Sequence, residues 1–313
     1  MSERLHYRGR LEQIRIYLGK QLRMFVYQND WKVLPMAALI AGLVTFAVGK
    51  NLFKTQEGTL SGCFALVCVC IWNGCFNSIQ VVCRERPIIK REHRSGMHVF
   101  SYVTAHMIYQ AMLCVMQTII LIIICSITGI AFPKTGLVTG NFMIDMGISM
   151  FLITYAADMM ALMISSLVKD TTTAMTVMPF VMIFQLIFSG GLIPLEGAAK
   201  KLSSLTLAKW GLQNLCALGR YNEQPMVTLW NTIWKFRSMV IDGEKPVEMI
   251  TNYILDNNLL DHVLQESGRY NLNILYEMNS ANVMQCWIIL ICFALVFAFL
   301  AMALLKRIDK DRR

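Results

Sequence analysis

Six apolar runs, near residues 33–49, 59–82, 99–130, 142–168, 171–189 and 283–304, constrain this chain more than any other feature. A helix needs about 20 predominantly apolar residues to cross a bilayer, where lipid offers no partner to an unpaired backbone group. Composition agrees: 56% of the residues are apolar and 16% charged, against roughly 45–50% and about 25% in soluble domains. One water-soluble core cannot hide that much apolar surface, so the excess must face lipid. A disordered chain, a collagen-like chain and a disulfide-stapled secreted scaffold are excluded. The first run, Val33 to Gly49, is short. It follows a charged, partly amphipathic segment (residues 1–32) without a cleavable-signal pattern, so it reads as a retained span. Only Lys169 and Asp170 separate the fourth run from the fifth, which demands a tight turn.

The charges orient the bundle. Residues 1–32 carry seven Lys/Arg, segment 83–98 carries five, and five more follow Leu305, with Lys169 on the same side. The two short loops on the opposite side hold only Lys50, Lys54 and Lys134. Basic loops stay in the cytoplasm, and long segments translocate largely regardless of charge. The expectation is therefore an all-α membrane protein with six transmembrane helices, cytoplasmic N- and C-termini, and a small helical external region between helices 5 and 6. The net charge of +9 belongs to that cytoplasmic face rather than to a nucleic-acid site. The organisation expected is a cytoplasmic amphipathic segment 1–32, five helices over 33–189, a re-entrant or external region 190–282, and a last helix with a basic tail over 283–313.

Nine of the ten cysteines lie in or at the ends of apolar runs, and Cys216 stands alone in the long polar region, so no disulfide framework is expected. Within 190–282, Ser203 to Leu218 alternates at helical spacing around Trp210, which suits an interfacial helix. Pro246 to Glu266 reads as one amphipathic helix stopped by Gly268.

Three local features then stand in a telling order. The segment after the second run reads Arg84-Glu85-Arg86-Pro87-Ile88-Ile89-Lys90-Arg91-Glu92-His93-Arg94-Ser95-Gly96 and enters the third run directly. The fifth run ends Ile187-Phe188-Ser189-Gly190-Gly191-Leu192-Ile193-Pro194, and a Trp-containing segment, Leu205 to Leu218, follows. In this order they resemble the membrane domain of ABC-2 type transporters, especially the G-subfamily exporters of the white/pigment-transporter kind. The resemblance covers most of the chain. It implies a coupling helix over 84–96 that meets an ATPase through Glu85, Arg86, Lys90, Arg91, Glu92, Ser95 and Gly96. It implies a substrate cavity between two protomers, with Asn73, Phe76 and Asn77 set against Met182, Ile183 and Leu186, and an outer gate at Ser189, Gly190 and Leu192. It also implies a second permease chain, identical or paralogous.

The expectation departs from the G subfamily in that no ATPase is fused to the chain. A phosphate-binding loop needs G-x-x-x-x-G-K-[ST], and Gly19-Lys20-Gln21 and Gly49-Lys50-Asn51 lack both the preceding glycine and the hydroxyl residue. The external region also lacks the paired cysteines and Asn-x-Ser/Thr sites of many eukaryotic members. The expectation is a permease of a bacterial cytoplasmic membrane, working with membrane lipids around it and with no cofactor of its own, ATP and Mg²⁺ belonging to a separate ATPase subunit. It is not expected to be an enzyme.

Within the runs Asp158 stands out, since an ionised carboxylate at mid-membrane costs about 2.5–3.5 kcal/mol on insertion scales. Counting residues from the cytoplasmic ends puts His106 and Asp158 at equal depth, about 14–15 Å. They are an intramembrane polar pair by this arithmetic, serving as interhelical glue or as a relay or substrate contact. Asn73, Asn77 and Gln80 form a second polar stripe beside Trp72 and Phe76. Two other functions compete. A membrane-embedded enzyme would need a clustered nucleophile, base or metal site, and the five histidines show no H-E-x-x-H spacing. An ion-coupled secondary carrier using Asp158 would transport without ATP.

Overall fold

A computed structural model describes residues 9–27, 30–193 and 195–306. Arg4 and Arg8 of the first basic segment, Pro194 of the turn motif and tail residues 307–313 lie outside it. Each of the six apolar runs is a helix: α2 (Val33–Val48), α3 (Gln56–Ser78), α5 (Val99–Ile127), α6 (Phe142–Leu167), α7 (Thr171–Ile187) and α13 (Ser280–Leu305). Around them stand α1 (Arg10–Tyr27), α4 (Val81–Arg94), α8 (Gly197–Ser203), α9 (Leu207–Leu218), α10 (Thr228–Lys235), α11 (Pro246–Asp256) and α12 (Leu260–Tyr270). Among the described residues no strand forms beyond an isolated bridge between Ile241 and Glu244.

Four of these helices, α3 (continuing into α4), α5, α6 and α13, are long and apolar enough to cross a membrane. With 16 and 17 residues, α2 and α7 reach about 24–26 Å, short of the roughly 30 Å hydrocarbon layer. The starts are set by polar side chains that take up otherwise unpaired N–H groups. Thr55, Asn141, Asp170 and Asn279 do this for α3, α6, α7 and α13 respectively.

The centre of the bundle is the α3–α6 pair. Its close approach is permitted by Gly74, where a Cβ would collide with the Thr154 carbonyl oxygen and the Asp158 nitrogen on α6. α13 lies along α6, and α5 packs against α1 and α2. The most apolar stretch of α6 is 72% buried and that of α13 only 28%, so α13 presents its apolar surface outward. The helices alternate in direction. At one end the start of α3 meets the 225–271 region through Gln56, and the starts of α6 and α13 meet through Ser149 and Trp287. At the other, α4 meets α1 and the α6–α7 turn.

The structure corrects two readings of region 190–282. Segment 207–218 is not an interfacial helix. α9 is inserted among α3, α6 and α13, and Leu207, Leu212, Asn214, Cys216 and Leu218 are all buried. Its apparent amphipathicity arises because Asn214 and Gln213 find partners within the fold, buried Ser149 and half-buried Asn282. The expected single helix over 246–266 is two, α11 and α12, broken at Asn258, which takes the left-handed conformation (φ 54°) that Asn tolerates. Gly268 lies within α12 rather than ending it. There a Cβ would press on the Gln224 carbonyl at 2.6 Å, so its role is close packing.

Candidate functional site

The chain leaves α3 at Ile79-Gln80 and starts α4 at once, and side chains from two other helices hold that break. Ser165 Oγ on α6 accepts the N–H groups of Val82 (3.1 Å) and Cys83 (3.2 Å), the orphan donors of the new helix. Gln110 on α5 donates to Ser78 Oγ (3.0 Å) and to the Asn77 carbonyl (3.4 Å). α4 is thus seated on the bundle by its first turn.

Its charged residues divide into two sets. Glu85 is buried (7% exposed) and takes Lys20 Nζ at 3.5 Å and the Tyr102 hydroxyl at 3.2 Å. Arg86 Nη1 donates to the carbonyls of Val168 (2.6 Å) and Ser166 (3.3 Å), which end α6. Glu92 accepts the Tyr17 hydroxyl at 2.9 Å. Gln13 bridges the end of α4 to the start of α5 by donating to the Gly96 carbonyl and accepting from His98 N. Gly96 itself holds a positive φ (103°), the turn that lets α5 begin. Facing away from the bundle are Arg84, Pro87, Ile88, Arg91, Arg94 and Ser95, all exposed and spaced three and four apart, hence on one helix face. Of the residues expected to meet an ATPase, Arg91 and Ser95 lie on this face, Lys90 is half-buried beside it, and Glu85, Arg86 and Glu92 are engaged within the chain. Arg84, Ile88 and Arg94 were not among those expected.

The expected cavity residues separate into two groups. Asn77 and Gln117 exchange both amide bonds, at 2.9 and 3.0 Å. Asn73 and Phe76 line a groove of about 450 Å³ with Met36, Ile40, Trp72 and Gln117, walled by α2, α3 and α5. Below it, sharing Val33 and Phe76, lies a smaller polar hollow of about 150 Å³ lined by Gln21, Asn77, Gln80, Arg84, His106 and Gln110, among others. No residue of α7 lines either hollow. Met182 is buried, Ile183 is exposed and Leu186 is half-buried on α7.

His106 and Asp158 do not pair. The Gln21 amide donates to His106 Nε2 at 2.6 Å. Asp158 Oδ2 accepts Cys114 Sγ at 3.4 Å, with Asn77 and Ser78 beside it, and its Oδ1 has no protein partner. Counting from helix ends assumed equal tilt. In the fold Asp158 is level with Cys114, two turns further along α5 than His106.

At the opposite end, Ser189 Oγ donates to the Leu186 carbonyl (2.7 Å) and accepts Gly191 N (3.1 Å). Gly190 takes a positive φ (79°) there, and Leu192 is exposed. This turn sends the chain into α8 and then back into the bundle as α9. The buried start of α9 is capped by Gln185 on α7, whose Oε1 accepts Leu207 N (2.8 Å) and Ala208 N (3.3 Å). Sequence reading passed over Gln185; its signal was being the one amide in the fifth apolar run. Among the described residues no group of three His, Cys, Asp or Glu is placed to hold a metal.

An apolar helical bundle with a basic helix clamped to one end and a helix turned back into it from the other defines an integral membrane protein. A family model described as "ABC-2 type transporter" matches residues 12–215. The chain belongs to the ABC-2 type transporter family and is a transport permease component, a membrane domain rather than a catalytic one. It is also 27% identical over 144 residues to the ABC transporter ATP-binding/permease protein Rv1747 of Mycobacterium tuberculosis. That match covers 45% of this chain and 16% of the relative, so the chain spans only a small part of that protein's length.

Proposed function

We propose that this chain is the membrane-spanning subunit of an ATP-driven exporter in a bacterial cytoplasmic membrane, and that α4 is where a separate ATPase subunit pushes. All six apolar helices cross, with α2 and α7 spanning by help from flanking polar turns, and both termini are cytoplasmic in line with the Lys/Arg bias. Two permease chains, identical or paralogous, form the path, α3 and α7 facing across it, with Ser189, Gly190 and Leu192 at its outer gate. In this reading ATP and Mg²⁺ are bound by the ATPase partner.

The observation that carries this reading is the two-sided construction of α4. Its inner residues Glu85, Arg86 and Glu92 are bonded to α1, α5 and the α6–α7 turn, while Arg84, Arg91 and Arg94 form an exposed basic stripe. A push on the stripe is delivered to three other elements at once. Affinity purification of the chain from its native membrane is expected to bring down a nucleotide-binding subunit with ATP hydrolysis. Arg91→Glu combined with Arg94→Glu is expected to lose both while inserting normally. ATP hydrolysis by the chain alone, or undiminished stimulated turnover in the double variant, would overturn the proposal. One observation favours a second reading: the unpaired oxygen of buried Asp158 is what an ion-coupled carrier would use. Uptake or efflux by the purified chain under a proton gradient without ATP would select it.

A further inference from the structure

The outer region carries an apolar surface that the transport reading leaves unused. On α10 and the segment after it, Leu229, Trp234, Phe236, Met239, Val240 and Ile241 are exposed, Phe236 and Val240 by 54% and 58%. Three of these are consecutive, and a run of exposed apolar residues is a liability unless something covers it. The segment is firmly built. Ile241 and Glu244 exchange both backbone bonds (2.8 and 3.0 Å) around Asp242-Gly243, each with positive φ. Trp234 lies against buried Trp230, the rings tilted by 36° with centroids 6.0 Å apart. The Arg237 guanidinium lies 4.6 Å over the Trp234 ring and donates to Asn252 on α11 at 2.8 Å. The apolar tip is therefore held out on a braced hairpin of α10 and α11.

Its height relative to the membrane follows from its anchor. Glu57, in the first turn of α3, accepts Val227 N (3.0 Å) and Thr228 N (2.7 Å) at the start of α10. Asn231 on α10 shares one hollow with Ala47 and Val48 of α2 and with Ser61 of α3. The first turn of α10 and the last turn of apolar α2 thus line one hollow. The outward row of that helix, Met36, Leu39, Leu43 and Phe46, is exposed along its length, Phe46 by 83%.

We propose that α10 and residues 236–241 form a monolayer anchor, seated among the headgroups and upper acyl chains of the leaflet in which α2 ends. Trp and other aromatic residues gather at this depth because one end of the ring is apolar and the other wet, and an exposed Lys235 beside them can extend its stem toward the phosphates. The inference rests on the chain being embedded in a membrane and is independent of which end faces the cytoplasm and of any ATPase.

The test uses the full chain in phospholipid nanodiscs, keeping Trp234 and replacing Trp31, Trp72, Trp210, Trp230 and Trp287 by Phe. Emission from Trp234 is expected to be quenched about twofold more by lipid brominated high on the acyl chain than by lipid brominated near its end, as for an interfacial Trp. Quenching by aqueous iodide with no effect of bromolipid would overturn the proposal. Should that variant fail to fold, p-benzoylphenylalanine placed at Phe236 in the otherwise unaltered chain gives a second readout. A phospholipid adduct after illumination is expected. An adduct to a second copy of the chain or to another protein, or none, would overturn it.

Discussion

The Tyr17 hydroxyl donates to a Glu92 carboxylate oxygen at 2.9 Å, so α1 grips the last turn of α4 across 75 positions of sequence. The ring also packs edge-on against Tyr102, which bonds Glu85 about two turns earlier in α4. Removing the hydroxyl by Tyr17→Phe keeps that packing and loses the bond, at a cost of about 1 kcal/mol for a partly exposed hydrogen bond to a carboxylate. Burial, then the Glu92 carboxylate, push the phenol above its ordinary value of 10.0. A group raised on folding contributes stability that is full below its unfolded pKa and is lost as pH climbs through the folded one. The thermal advantage of the native chain over the Phe variant should therefore be constant up to about pH 10 and shrink above it. A pH series of melting temperatures in detergent checks this.

The reciprocal amides of Asn77 and Gln117 predict strong non-additivity. Asn77→Leu or Gln117→Leu alone strands a buried amide, at about 1–3 kcal/mol. The double variant removes both polar groups, so it should be less destabilised than the sum, with a coupling of about 0.6 kcal/mol and at most about 1.7. Transport rates measured on the same set separate packing from substrate contact. Activity lost in each single and recovered in the double would mean that Asn77 serves the α3–α5 joint.

These residues show what the sequence could and could not reveal. Hydrophobic runs located the six long helices because burial or lipid contact over 16 to 29 residues leaves a signal in every position. The charge alternation of 84–96 likewise marked α4. What stayed hidden depends on azimuth and on chain meeting chain. Whether Asn77 faces α5 or a central path, and whether Asp158 meets His106 or Cys114, is set by helix tilt and rotation, and one helix turn is enough to change the partner. A re-entrant region is one reading of 190–282, but the burial of α9 itself is not legible, because a short helix with two amides reads as surface until Ser149 and Asn282 are placed beside it.

Gly74 marks the closest approach of α3 and α6. A Cβ there would meet backbone atoms of Thr154 and Asp158, which cannot rotate away, and the Ala157 Cβ at 3.0 Å. Gly74→Ala should force the central pair apart and cost about 1–3 kcal/mol. Gly42 on α2 has nothing within 4 Å of its Cβ position, so Gly42→Ala should be neutral or stabilise by up to about 1 kcal/mol. Size-exclusion profiles after graded heating distinguish the two, and equal behaviour would refute the α3–α6 contact.

Gln185 is the residue on which the re-entrant helix depends. Its Oε1 satisfies two N–H groups at the start of α9, in a place where water has no access: Gln185 is 4% exposed and Leu207 and Ala208 are fully buried. Gln185→Leu fits the apolar surroundings of α7 and even raises its hydrophobicity, so insertion of the chain should be unimpaired. The loss falls on α9, whose first turn is left with unpaired donors at about 1–3 kcal/mol. Gln185→Glu retains an acceptor at the positive end of a helix and should restore most of the loss. Hydrogen exchange of peptides covering 205–218 reads the effect directly: faster in the Leu variant and near native in the Glu variant, with α3 and α6 unchanged. Transport should follow the same order, since α9 is wedged among α3, α6 and α13 and a loosened wedge releases all three. Native exchange in the Leu variant would mean that the cap is incidental and that side-chain packing alone holds α9 in place.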